Sequence, residues 1–273
     1  MEKQKNKGRR NFLLVLGALG LGGVTTWIMR RSIVKRLFFT GDFDPELLTS
    51  SLTTEENICL MTSQQVEGPF YFPSPERREL TDDRIGQKLQ LRLQVTRYPE
   101  CKPIENARVD IWHCDGDGVY SGYPKEIARD VWETMVFGLK NGTFKNDQLH
   151  VDPVNDTRFL RGMQRTDPTG WVTFDTIIPG WYEGRVPHIH ALVVINKQEQ
   201  FTTQFYFSQE LLDSIYTTVA PYKTHGKCPL RFENDIVLSQ GKNAQGLLLE
   251  IKPQPLIDGQ YLAMGRMGIN SKA

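Results

Sequence analysis

The chain has 273 residues, of which 39% are hydrophobic and 24% charged, enough apolar material for one packed core and too much for long disordered tracts away from the ends. Its net charge of +1 hides an asymmetry: residues 1–36 carry nine Lys/Arg against the single acid Glu2, a net +8, so the other residues carry −7. An acidic body of that kind has no electrostatic reason to hold nucleic acid.

The chain begins with Lys7-Gly8-Arg9-Arg10-Asn11-Phe12-Leu13, followed by an uncharged, Leu- and Gly-rich stretch to Met29. A basic leader, a twin-arginine pair and a weakly apolar segment predict an export signal. The alternative is a membrane anchor: the uncharged stretch sits at the lower edge of a bilayer span, Arg30 and Arg31 follow at once, and no small-x-small cleavage site stands near residues 25–32. The expected layout is an export signal or anchor over 1–36, a tether over 37–57 and a catalytic domain over 58–273. A periplasmic or extracellular location follows from it, and the twin-arginine machinery transports proteins already folded around a metal. The four cysteines, Cys59, Cys101, Cys114 and Cys228, are free to form disulfides in an oxidising compartment, in any of three full pairings. No C-x-x-C occurs, which speaks against a zinc ribbon or a thioredoxin-type site.

From Cys59 onward the pattern is mostly β. Leu89, Leu91, Leu93 and Val95 alternate with polar residues, the period-two signature of a half-buried strand. Val109–Trp112, Gly170–Ile178 after an Asp-Pro-Thr-Gly turn, His188–Ile195, Phe201–Phe207 and Leu247–Ile251 read as further strands. Helical signal is thin: Ser208 is a plausible N-cap ahead of Leu211 and Leu212, and residues 125–137 suit a short helix within a long surface excursion over 124–157. Many short strands separated by turns predict a mostly β fold, a β-sandwich of antiparallel or mixed strands with long loops and few short helices.

The sharpest local feature is Arg185-Val186-Pro187-His188-Ile189-His190. In a strand, residues two apart share a face, so His188 and His190 present two imidazoles to one metal. Imidazole serves zinc, copper and iron alike, so the pair leaves the metal open. No acidic residue stands at ligand spacing from it; Glu183 is near, but as a turn residue, and an ion pair with it is the plain alternative for Arg185. Tyr182 and Tyr120, taken alone, read as packed aromatics.

A wider comparison of motifs narrows this. The segment from Asn106 through Trp112 to Tyr120-Ser121-Gly122 resembles the first metal-ligand region of the intradiol ring-cleavage dioxygenases, with a strand Trp eight residues before a ligand Tyr. The segment Thr166-Asp-Pro-Thr-Gly170 through Tyr182-Glu-Gly-Arg185-Val-Pro-His188-Ile-His190 resembles the second. Gln204 follows His190 by fourteen residues, where the family places an active-site Gln. Glu67-Gly68-Pro69-Phe70-Tyr71 resembles the family's element beside the substrate. The likeness spans roughly residues 59–252. Two departures stand out: the interval from Tyr182 to Arg185 is short beside the well-known catechol and protocatechuate enzymes, and the long helical dimerisation region of catechol 1,2-dioxygenases has no counterpart.

The resemblance implies one non-haem Fe(III) per chain held by Tyr120, Tyr182, His188 and His190, and a reaction in which a catechol and O2 give a muconate-type diacid by cleavage between the two hydroxyl-bearing carbons. Two phenolates and two neutral imidazoles round a trivalent ion leave about one unit of positive charge. Tyr182 would be the ligand that leaves when substrate binds and Tyr120 the one that stays. Arg185 would stabilise charge developing on the ring, Gln204 would hydrogen-bond the substrate or the bound oxygen, and Gly68, Pro69, Tyr71 and Trp112 would border the substrate. The oligomeric state, including self-association, stays open. Two other classes remain: a zinc hydrolase or lyase built on the His-x-His pair, which needs a third protein ligand, and a non-catalytic β-sandwich binding module.

Overall fold

The computed structural model describes residues 45–50, 59–129, 131–145, 148–196, 199–238, 244–254 and 257–270, all within one unit, Asp42–Ala273. The export signal or anchor expected over 1–36 lies outside the described residues. Among the described residues no helix is long and apolar enough to cross a membrane.

Two sheets dominate. In the first, β1 (Lys88–Arg97) lies between β11 (Tyr261–Ile269), which pairs with it in parallel, and the antiparallel β7 (Trp171–Ile177) and β2 (Lys102–Pro103); β10 (Glu250–Pro253) extends the β11 edge. The second runs β6 (Arg161–Arg165), β3 (Arg108–Trp112), β8 (His188–Ile195), β9 (Glu199–Tyr206), all antiparallel. A small hairpin joins β4 (Gly142–Lys145) to β5 (Gln148–Val151). The alternation of β1 puts Leu89, Leu91, Leu93 and Val95 at zero exposure, packed with Val109, Ile111, Ile189, Ala191, Val193 and Phe205 of the second sheet. That shared core makes the molecule a β-sandwich with mixed strands.

The helices are short. Helix α1 (Lys125–Arg129) and helix α2 (Val131–Asn141) occupy the surface excursion after Tyr123, and together with the β4–β5 hairpin they give it more structure than its sequence pattern suggests. Helix α3 (Gln209–Thr218) starts at Ser208, whose side chain accepts from the backbone N–H of Leu211; helix α4 (Tyr222–His225) follows. The stretch expected as a tether is described only at residues 45–50, and these pack on the body: Leu48 is buried with Val186 and Tyr206, and Thr49 accepts from the N–H of Leu248 at 3.0 Å. Leu248 makes isolated bridges, so the strand expected over Leu247–Ile251 begins at Glu250. Of the open cysteine pairings, the fold selects Cys59–Cys101 and leaves Cys114 and Cys228 as buried thiols. Closing a loop of 42 residues contributes about 3–4 kcal/mol in the chain-entropy picture.

His113 fastens the two sheets together. Its Nδ1 donates to the carbonyl of Cys114 and its Nε2 accepts from the hydroxyl of Thr176 on β7, both at 2.8 Å. Burial holds the ring neutral and pushes its pKa down to about 4, against about 6.5 in an unfolded chain. As pH falls below about 6.5 the unfolded chain gains a proton that the folded ring refuses, so stability is full above that pH and is lost progressively down to about 4. The gap amounts to roughly 3 kcal/mol. His113→Asn should flatten the fall in denaturant midpoint between pH 6.5 and 4, and parallel profiles for the two proteins would contradict this role.

Candidate metal centre

The outer face of the second sheet carries the chemistry. Odd-numbered residues of β8 face the core between the sheets, so His188, His190 and Leu192 face the other way. Register then builds rows across the strands. His190 stands opposite Trp112 on β3 and Gln204 on β9; His188 stands opposite Tyr206. Arg161 on β6 continues the first row beyond Trp112. Such a face would be wet in an open sandwich, but here His188 and His190 are buried, at 1% and 3% exposure. Phe70, Phe72, Tyr120, Tyr123 and Val151 cover this face and form a second apolar cluster with Trp112 and Leu192.

Two loops bring in the phenols. After β3 the Asp115 carboxylate accepts the N–H groups of Asp117 and Val119, both at 3.0 Å, which curls the chain into a loop ending at Tyr120. Gly118 at φ +83° touches the other loop; a Cβ there would come within 2.3 Å of the Trp181 carbonyl. Tyr182–Arg185 is a four-residue turn, closed by the N–H of Arg185 donating to the Tyr182 carbonyl at 3.3 Å. Gly184 at φ +88° supplies the left-handed residue this turn requires. The short interval seen in the sequence is therefore one tight turn, which carries Tyr182 and Arg185 to the same end of β8.

Four donor atoms converge. The Nε2 atoms of His188 and His190 are 3.0 Å apart; the Tyr182 hydroxyl lies 3.3 Å from His188 Nε2, and the Tyr120 hydroxyl 3.5 Å from both His188 Nε2 and the Tyr182 hydroxyl. Separations of 3.3–3.5 Å are long for hydrogen bonds through a hydroxyl. They match the edges of a coordination shell: bonds of about 2.0–2.1 Å give donor–donor edges of roughly 2.9 Å at right angles and 3.4 Å at tetrahedral angles. His188 Nδ1 donates to the Val186 carbonyl at 2.7 Å, which leaves a lone pair on its Nε2. Burial, and then Arg185, hold both imidazoles well below their usual pKa, the neutral form a metal needs. The His190 Nδ1 is buried without a partner among the described residues. Burial and the neighbouring phenol raise the Tyr120 pKa well above its ordinary value, and burial pushes Tyr182 up to about 12. A cation of high charge would convert both to phenolates. Among the described residues no cluster of three His, Cys, Asp or Glu is placed to hold a metal; the donor atoms found beside the His pair are the two phenols.

Arg185 lies beside these atoms and is 5% exposed. The pairing with Glu183 considered from the sequence gives way to one with Asp235, whose carboxylate takes the Arg185 Nε–H at 3.0 Å. Arg185 Nη2 donates to Gln204 Oε1 and, at 3.1 Å, to the Tyr206 hydroxyl. Burial alone would lower the pKa of this guanidinium; Asp235, together with the phenols of Tyr206, Tyr182 and Tyr120, more than reverses that. Gln204 is held from its other end by its amide donating to the Val66 carbonyl at 2.7 Å, so the cover over the site and Arg185 share one residue.

The remaining expected residues divide. Gly68 and Pro69 lie on the cover, with Gly68 against the His190 ring. Trp112 and Tyr71, expected beside the substrate, pack in a row with His190: the indole lies 4.7 Å from the imidazole and 8° from parallel, and Tyr71 leans on the indole at 4.8 Å while lining a surface cavity. The register that sets Trp112 opposite His190 produces this, and Phe70 takes the place against Tyr120, at 4.9 Å. Sequence reasoning passed over Asp235, Tyr206 and Arg161. The Tyr206 signal was available, since it lies two residues beyond Gln204 on the same strand face; Asp235, on a distant loop, gave none.

Comparisons with known proteins bear on the family and the fold. A family model described as Dioxygenase matches residues 66–225, more than half of the chain. Chlorocatechol 1,2-dioxygenase of Cupriavidus pinatubonensis is 26% identical over 157 residues, covering 56% of this chain and 58% of that protein. Catechol 1,2-dioxygenase of a Pseudomonas species is 27% identical over 149 residues, covering 52% and 46%. The chain thus spans 58% or less of the length of these curated relatives. An intradiol ring-cleavage dioxygenase structure from Tetranychus urticae superposes with a TM-score of 0.64 at 29% identity, covering 78% of this chain and 95% of that one. The 3-chlorocatechol 1,2-dioxygenase of Rhodococcus opacus, at 18% identity and a TM-score of 0.51 over 97% and 98% of the two chains, shares the fold. With the family model, the sandwich and the motif order in accord, this chain belongs to the intradiol ring-cleavage dioxygenases.

Proposed function

We propose that the protein is an Fe(III)-dependent intradiol dioxygenase that cleaves a catechol between its two hydroxyl-bearing carbons with O2, giving a muconate-type diacid. The observation that carries this is the convergence of two phenol oxygens and two imidazole nitrogens: His188 Nε2 lies within 3.0–3.5 Å of His190 Nε2 and of both hydroxyls, and the hydroxyls lie 3.5 Å apart. Phenolates are hard anionic donors that favour ferric over ferrous iron, which suits Tyr120, Tyr182, His188 and His190 as the ligand set. When ferric iron is held there, the two oxygens of the diol would chelate it, and the chemistry it supplies is activation of the ring toward oxygen.

The chain's own residues supply the rest. Tyr182 is partly exposed whereas Tyr120 is fully buried, so Tyr182 is the phenol free to swing away. Once released, its phenolate would serve as a base for a catechol proton. Arg185 keeps its charge at any working pH and faces the site from the His188 side, where it would stabilise negative charge growing on the ring. Gln204 sits within reach of the same space, fixed between Arg185 and the cover. The aromatic cover would exclude water.

The test is oxygen uptake by iron-loaded protein over a panel of catechol, chlorocatechol, hydroxyquinol and protocatechuate. Stoichiometric uptake with a product cleaved between the hydroxyls is expected; cleavage beside them, or no uptake with any member, would overturn the assignment. Export is part of the same proposal. The twin-arginine leader and the Cys59–Cys101 disulfide both suit an oxidising compartment, and cell fractionation that finds the protein only in the cytoplasm would refute it.

A further inference from the structure

Asp235 is fully buried at the end of the short 3-10 turn Phe232–Asn234, and its carboxylate is saturated. One oxygen, Oδ2, accepts from Arg185 Nε at 3.0 Å and from the Val186 N–H at 2.8 Å. The other, Oδ1, accepts from the N–H groups of Val237 at 2.8 Å and Leu238 at 3.0 Å, with Arg185 Nε at 3.2 Å. Asp235 therefore grips both the side chain of Arg185 and the backbone of the next residue, two positions before His188. The turn also donates the N–H of Ile236 to the Gly184 carbonyl at 3.2 Å, so the whole Tyr182–Val186 segment is pinned against this distant loop.

The consequence for Arg185 is directional. Its Nε is taken by Asp235 and its Nη2 by Gln204 and Tyr206. Only Nη1 faces the donor cluster, where it meets His188 Nε2 at 3.3 Å. That contact needs the Nε2 lone pair, and the same lone pair is the one a metal would take. With His188 ligated, Nη1–H would be left without an acceptor, aimed at the space where a substrate oxygen or ring would lie.

We propose that Asp235 is the positioning residue of this centre: it locks the guanidinium along its Nε edge so that one arm, Nη1, is presented to the substrate. This rests on the reading of the site as a catechol-cleaving centre. A carboxylate is required because an amide cannot accept from Nε with the same oxygen and satisfy the loop N–H groups with the other. A buried guanidinium without its counter-ion is also strongly disfavoured. Geometry of this kind matters to rate, since a misplacement of about 1 Å costs on the order of 100-fold.

The test is Asp235→Asn in the full-length, iron-loaded protein. The kcat for catechol should fall about 100-fold, with KM and the anaerobic catechol Kd, read from the charge-transfer colour, within about threefold. In an Arg185→Gln background the same change should add less than about twofold, because Asp235 acts through Arg185. In protein loaded with diamagnetic gallium(III), exchange of the Arg185 Nε–H, followed by NMR, should accelerate at least about tenfold. Multiplicative losses in the double variant, loss of iron with unchanged kcat per iron, or unchanged Nε–H exchange would each overturn the proposal. Should Asp235→Asn fail to fold, Arg185→Lys, which keeps the charge but lacks Nε, is expected to show the same loss in kcat at unchanged Kd, and near-normal turnover by it would overturn the proposal. Wild-type protein that cleaves no catechol would refute the dioxygenase reading alone, and the Nε–H exchange would still decide the role of Asp235.

Discussion

Tyr182→Phe is expected to lower catechol turnover by about 100- to 1,000-fold while iron stays bound, and to shift or bleach the visible colour that tyrosinate gives to ferric iron. The substitution removes one oxygen and little else, because the ring sits edge-on to Tyr120, at 5.7 Å between centroids, and to His188, at 5.8 Å. What disappears is the phenolate that leaves and takes a proton. A positioned general base contributes about 100- to 10,000-fold, and the lower part of that range applies because hydroxide can substitute in part. Stopped-flow turnover and the absorption spectrum of the same sample measure both effects. Unchanged rate and spectrum would remove Tyr182 from the ligand set. Tyr120→Phe differs in kind: Tyr120 is fully buried against Phe70 and has no room to depart, so its loss should weaken metal binding itself.

His188→Ala is expected to reduce iron affinity by more than about 100-fold, beyond the range typical for residues that only support ligands. His188 Nε2 is the hub of the cluster, within 3.0–3.5 Å of His190, Tyr182 and Tyr120. Its Nδ1 bond to the Val186 carbonyl fixes both the ring plane and the tautomer, so no neighbouring nitrogen can replace it. Competition with a chelator of known affinity gives the number. Iron bound within threefold of wild type would mean that the metal sits elsewhere.

Residues with local signals were legible in the sequence to different depths. Period-two alternation located β1, and β-prone runs bounded by turn signals located β3, β7, β8 and β9, within a residue or two of their observed ends. Both signals missed β6, Arg161–Arg165, where the buried residues are Arg161 and Gly162, and both missed β11, whose glycines break the apolar row. Arg161 shows why: its Nε and Nη2 donate to the hydroxyl and carbonyl of Ser121, at 2.8 and 3.1 Å, and its guanidinium covers the Phe72 ring. These partners come from other loops, so no local pattern announces a buried arginine.

The candidate centre divides the same way. Strand geometry alone places His188 and His190 on one face, since a period of two is a property of the backbone. Tyr120 and Tyr182 acquire a reason to be there only through loops folded by Asp115 and Gly184, and the resemblance of motifs anticipated where folding physics could not. The tertiary structure alone decided that Trp112 and Tyr71 pack in a row with His190, that Cys59 joins Cys101, and that the counter-ion of Arg185 is Asp235, fifty residues away, and not Glu183 two residues before it. Short-range periodicity is written into the chain because it follows from backbone geometry. Ion pairs, stacks and disulfides between distant segments are fixed only when the packing of two sheets brings those segments together and shuts out the water that would otherwise satisfy them.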